Sequence, residues 1–166
     1  DTLYVMKQMQ FQFGFDVYRN GAKGACEARN LGIKVAKGEI IVMLDQDVFV
    51  PRDFLKQIES AMSDGKAGIY GKMITDFKNF VEPLNSTTIN AKYLTANCAY
   101  RKAALLDVGC FSEEFPFHRG DSELAYKLIE KGYQIEYAEN VVAYHPLRKF
   151  RLSDFKRTME MVEIDN

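Results

Sequence analysis

Five apolar residues in a row, Ile40-Ile41-Val42-Met43-Leu44, followed at once by Asp45-Gln46-Asp47, constrain this chain more than any other stretch. The run does not alternate, so it does not describe a strand with one wet face. Rich in β-branched residues, it describes a strand covered by helices on both faces. Helical patterns lie on either side of it. Upstream, within residues 22–36, Ala25, Ala28, Gly32, Val35 and Ala36 recur at helical spacing. Small residues on that stripe let a helix lie close to a sheet, and Gly38 suits the left-handed position past its end. Downstream, Pro51 opens a helix with Phe54, Leu55, Ile58, Ala61 and Met62 on one face.

The rest of the chain continues the alternation. Residues 3–9 read as a short helix, and Phe15-Asp16-Val17-Tyr18 as a strand ending at the turn Asn20-Gly21. Residues 67–74 read as a strand, 76–92 as a long loop and 94–100 as a strand. A short helix over 101–107 is stopped by Gly109, and a helix over 122–131 with Leu124 and Leu128 inward is stopped by Gly132. Ile135, Tyr137 and residues 141–144 supply late strands. This order predicts an α/β domain with a largely parallel sheet. It occupies residues 1–146; a basic amphipathic tail, 147–166, follows.

Composition removes several function classes. Lys plus Arg number 22 against 23 Asp plus Glu, so there is no basic excess of the kind nucleic-acid binders carry. No apolar run approaches the roughly 20 residues that span a bilayer. Cys26, Cys98 and Cys110 have neither the spacing of a zinc site nor the density of a disulfide scaffold; they read as buried thiols in a reducing compartment.

Asp45 and Asp47 carry the chemistry. Ligands of open parallel sheets bind outside the carboxyl ends of the strands, where this pair falls. In an extended segment, residues i and i+2 point the same way, so both carboxylates can face one site. Two hard oxygen donors suit Mg²⁺ or Mn²⁺ on a diphosphate. The plainer alternative has one Asp capping a turn and the other solvated.

These pieces resemble glycosyltransferase family 2, inverting enzymes with the Rossmann-like GT-A fold. The match runs through residues 24–33 (Gly-Ala-Cys-Glu-Ala-Arg-Asn-Leu-Gly-Ile), Ala36-Lys37-Gly38-Glu39 and Leu44-Asp45-Gln46-Asp47. A second block comprises residues 97–103, 108–113 and 120–124, then Lys131-Gly132-Tyr133 and Ala143-Tyr144-His145. The resemblance implies metal-dependent transfer of a sugar from a nucleotide-diphosphate donor, a UDP-sugar first, to a hydroxyl of a saccharide or lipid-linked acceptor. Asp45 and Asp47 then hold Mn²⁺ or Mg²⁺, the second Asp more directly. Asp121 is the general base, with a helix cap as its alternative role. His145 matches a residue near the metal, although a lone His is commonly structural. Arg29 faces the diphosphate or makes a structural ion pair. Asn97 and Glu123 line the acceptor side, together with His118 and Arg119 unless these are simply solvated.

The sequence departs from the family pattern where Gly120 replaces the first acid of a Glu-Asp pair, Cys110 a common Gly and Ser112 a common Asp. On family expectation a first strand, helix and second strand, about 50 residues, precede Asp1. Their absence implies an N-terminally truncated domain without its base pocket and with negligible turnover alone. Residues 15–18 and 40–44 then either close against each other or are covered by a second copy, giving a homodimer. The tail, Leu147 to Arg157, has the make-up of an interfacial helix, and implies peripheral membrane contact at the cytoplasmic face during cell-envelope polysaccharide synthesis. Two rival readings are a non-catalytic binding module and a phosphohydrolase with a nucleophilic Asp. The second needs Gly and Thr or Val after the motif, whereas Val48 and Phe49 follow here.

Overall fold

The computed structural model describes residues 2–21, 24–63, 65–75, 92–93, 95–114 and 120–146, without the side chains of residues 2 and 3. The expected loop over 76–91, His118, Arg119 and the tail 147–166 lie outside the described residues. In chain order the elements are α1 (Thr2–Phe13), α2 (Ala25–Val35), β1 (Ile40–Leu44), α3 (Phe54–Ala61) and β2 (Gly68–Ile74), then β3 (Asn97–Arg101), α4 (Lys102–Asp107), α5 (Gly120–Glu130) and β4 (Ile135–Tyr144).

The sheet has the order β1-β3-β2-β4. β3 is antiparallel to both β1 and β2, while β2 and β4 are parallel. Thus β1, β2 and β4 run the same way and β3 alone runs against them. The sheet is mixed rather than largely parallel, because the odd strand sits between two of the others. Alternating helix and strand patterns count elements but carry no sign of direction. Since β2 and β3 are antiparallel neighbours, the chain leaves β2 and enters β3 at one end of the sheet.

Both faces are covered, as the apolar run requires. Ile41 and Met43 join Cys26 and Ile33 of α2, Leu105 of α4, and Leu124 and Leu128 of α5 in one core. The intervening Ile40 and Val42 pack against a second core of Phe54 and Ile58 of α3 with Met62, Ile69, Ala99 and Val141. Leu55, expected on the inner face of α3, is 69% exposed. Phe54 and Ile58 define that face, and Leu55 stands at its margin, about 100° round the helix from Phe54.

Two further expectations are corrected. Residues 15–18 form no strand, and Phe15 and Tyr18 are exposed. Alternation is only a potential for pairing, and no described strand lies beside them. They do not close against β1, whose single described neighbour is β3. The late strands are one strand, β4, interrupted by a bulge: Gly71 pairs with Ala138 but Lys72 pairs with Val142. The three cysteines are buried and free.

Candidate functional site

The carboxyl ends of β1, β2 and β4 and the start of β3 share one end of the sheet. Asp45, Asp47 and His145 meet there, each offering a ligand atom within 4.8 Å of the others. The aspartates do not converge through an extended pleat. Val48 N–H donates to Asp45 O at 3.2 Å, closing a turn over Asp45-Gln46-Asp47-Val48. The segment is then pinned to β4, because Phe49 and Tyr144 exchange two backbone hydrogen bonds of 2.8 Å. Val48 packs on Met73, Ala96 and Ala143, which buries the floor of the turn.

His145 follows directly. Its backbone N–H donates to Ile74 O at 2.8 Å, and its ring Nδ1 lies 3.1 Å from Pro146 O. A carbonyl oxygen only accepts, so in this contact Nδ1 carries the hydrogen, which leaves Nε2 as the ring atom that could serve as a ligand. That atom lies 3.6 Å from Asp47 Oδ1. Two carboxylates and an imidazole with its second nitrogen bonded to a carbonyl make a donor set that fits a divalent ion such as Mn²⁺.

Asp121 lies in the first turn of α5, half-buried, and its Oδ1 accepts Ser122 N–H at 3.0 Å. It is inside the helix rather than its cap. The buried Cys98 thiol lies among the site's charges and reports their nearness. It is raised to about 12, chiefly by burial; a hydrogen bond with Tyr100 lowers it, Asp121 and Asp45 add to the rise and Arg29 opposes them. Asp121, Asp45 and Arg29 thus all act electrostatically on one buried thiol.

Arg29 of α2 donates from Nη2 to Thr95 Oγ1 at 2.9 Å and lies 5.5 Å over the Phe111 ring. Beside it runs a cavity of about 350 Å³ along the free edge of β1, lined by Gly32, Ala36, Thr95 and Asp45 among others. Glu123 engages both oxygens, one with Lys127 Nζ at 3.3 Å and one accepting Ser112 N–H at 3.4 Å. Asn97 is buried, and its Nδ2 donates to Lys72 O at 3.1 Å and to Val141 O at 3.0 Å.

Sequence reasoning overlooked two residues. Thr95 orients Arg29, but in a stretch read as strand, 94–100, a Thr gives no signal. Asn30 does give one, being an amide on the inward stripe of a helix, where an unpaired polar group is costly. Its side chain clamps the Phe111 backbone from both sides, donating to Phe111 O and accepting Phe111 N–H, each at 2.9 Å. It thereby fixes the ring beneath Arg29.

Comparison with known proteins agrees with this fold. The chain is 23% identical over 158 residues to the glycosyltransferase AglE of Haloferax volcanii, covering 85% of this chain and 52% of that protein. Its fold matches mannosyltransferase PcManGT from Pyrobaculum calidifontis, solved with GDP-Man and Mn²⁺, at TM-score 0.69 and 19% identity. That match covers 93% of this chain and 47% of the other. It also matches S. aureus TarS 1–349 in complex with UDP-GlcNAc, at TM-score 0.67 and 19% identity, over 90% of this chain and 47% of the other. The chain thus spans about half the length of these relatives. The family model for glycosyl transferase family 2 matches residues 2–119. With an α/β GT-A fold and most of its length within that match, the chain belongs to glycosyl transferase family 2.

Proposed function

We propose that this chain carries the metal and acceptor side of an inverting glycosyltransferase, which moves a sugar from a nucleotide-diphosphate donor to a hydroxyl of a glycan or lipid-linked acceptor. The observation that carries the reading is the convergence of Asp45, Asp47 and His145 at the carboxyl end of the strands in a family 2 chain. The donors named for similar proteins, GDP-Man and UDP-GlcNAc, support the donor class. A UDP-sugar is the first to test.

Asp45, Asp47 and His145 would hold Mn²⁺ or Mg²⁺. When bound, such an ion neutralises charge on a departing diphosphate. Arg29 adds a fixed positive charge on the donor side, held in one rotamer by Thr95 and the Phe111 ring. Asp121 accepts the proton of the acceptor hydroxyl as that oxygen attacks the anomeric carbon from the face opposite the diphosphate. A carboxylate is a modest base, so positioning supplies much of the rate. The first turn of α5 provides that positioning. Glu123 and Asn97 stand on the acceptor side as supports of the Ser112 backbone and of the β4 bulge.

Calorimetry with UDP and GDP, each with and without Mn²⁺, tests the reading. Nucleotide binding should require the ion, and Asp47→Ala should remove ion-dependent binding. Unchanged Mn²⁺-dependent binding by Asp47→Ala would overturn the assignment. Binding without transfer, in a version extended with the family's N-terminal strand, helix and strand and supplied with acceptor, would favour the non-catalytic reading.

A further inference from the structure

The aspartate turn and His145 come from strands that do not touch. β1 bears the turn, β4 bears the histidine, and β3 and β2 lie between them. Their relative position is therefore set by the register of the intervening pairs, together with the Phe49–Tyr144 bridge that pins the segment after the turn to the end of β4. Across the bulge that register jumps: residue 71 pairs with 138, but 72 pairs with 142. Glu139, Asn140 and Val141 are taken up on the β4 side. At about 3.3 Å per residue, a β4 without the bulge would carry His145 about 10 Å along the sheet. An odd shift would also turn its side chain to the other face. The bulge thus puts His145 beside Asp47.

Asn97 holds that bulge. A bulge leaves backbone groups outside the ladder, and a buried carbonyl without a donor is costly. The two amide hydrogens of Asn97 serve Val141 O on the bulge and Lys72 O, where the register resumes. Its own backbone is paired with Leu44, the residue immediately before Asp45. One residue, 2% exposed, therefore ties the end of β1 to β2 and β4. Gly71 makes room for it: a Cβ there would lie 2.3 Å from Val141 O and 2.4 Å from Asn97 Nδ2.

We propose that Asn97, with Gly71, is a positioning residue for the candidate metal site, setting the offset between the Asp45–Asp47 turn and His145. This rests on the metal reading of that site. It acts through backbone register and does not require Asn97 to touch the ion, donor or acceptor.

The test uses the 166-residue chain and Mn²⁺ alone. Free Mn²⁺ is followed by electron paramagnetic resonance, and broadening of the His145 ring protons by NMR. Asn97→Asp keeps the shape but sets a carboxylate oxygen against two carbonyls. The expected result is at least a tenfold weaker Mn²⁺ affinity, with loss of His145 broadening at an ion concentration that broadens it in the wild type. Gly71→Ala, pushing on the same joint from β2, should do the same. A purely structural role would lower the melting temperature yet leave affinity and broadening unchanged in the folded protein, and that result overturns the proposal. If both variants unfold, wild-type amide exchange without metal decides. The His145 amide should be protected as strongly as that of Ala99, and exchange at the rate of a frayed strand end overturns the proposal. A wild type that binds no Mn²⁺ removes the metal reading itself, and the proposal with it.

Discussion

Replacing Asn30 with alanine should destabilise the protein far more than loss of an ordinary surface amide. Asn30 is 5% exposed and Phe111 is 1% exposed, so water does not replace the two lost bonds without rearrangement. The substitution strands the N–H and C=O of Phe111, and each buried unsatisfied group costs about 1–3 kcal/mol. Partial relaxation of the Phe111 segment brings the total to about 3 kcal/mol. With a urea slope of about 2 kcal/mol/M, the unfolding midpoint falls by about 1.5 M. Asn30→Leu separates the bonds from the space they fill, since it restores volume without donors or acceptors. Both variants should lose similar stability when followed by circular dichroism in urea. A midpoint within about 0.3 M of wild type for Asn30→Ala, or near-complete recovery in Asn30→Leu, would refute the claim that the amide clamp matters.

Other outcomes follow from the same geometry. Asp121→Asn keeps shape and removes the proton acceptor; in a version with the family's N-terminal segment restored it should lower kcat by about 10²-fold or more with donor KM nearly unchanged. Wild-type turnover there would assign the base elsewhere. Cys98 should resist iodoacetamide in the folded protein at pH 8 and react once unfolded, as mass spectrometry can read. Its thiol is raised from 9.0 to about 12 by folding, so its contribution to stability is full below pH 9 and declines as pH rises beyond it. A melting temperature that does not fall between pH 9 and pH 11 in wild type relative to Cys98→Ala would contradict this. The basic tail should bring the chain down with anionic vesicles at low salt and release it at high salt, and no co-sedimentation at low salt would exclude membrane contact through it.

The strand Ile40–Leu44 was legible to the residue because burial on both faces leaves a continuous apolar signature. Asp45 and Asp47 were legible as metal candidates from their place after such a strand, and the structure brings them together with His145. What escaped is non-local. Nothing in residues 97–101 reveals that β3 runs against its neighbours, because hydrophobic pattern records burial and not direction. Residues 15–18 alternate as a strand would, yet pairing needs a neighbour that local sequence cannot guarantee. Asn97 and Asn30 illustrate an ambiguity of polar residues in apolar stretches. Each can serve a ligand or a stranded backbone group, and only the fold reveals the carbonyls they face. The turn at Asp45–Val48 was missed for a simpler reason: both an extended and a turned backbone bring residues i and i+2 together.

The position of β3 also governs the order in which the chain can fold. β1 finds its described strand partner only in residues 97–101, roughly 50 residues after its own end, so the closure of a long loop precedes any ladder on β1. β2 waits for the same strand, and then for β4. At residue 75 the described partners of β1 and β2 are still to be made, and strands awaiting their ladder are prone to association with other chains. Insertion of β3 relieves both at once, which makes it the committing event for the sheet. Its contacts should carry high φ-values, whereas those of β4 beyond the bulge should form late.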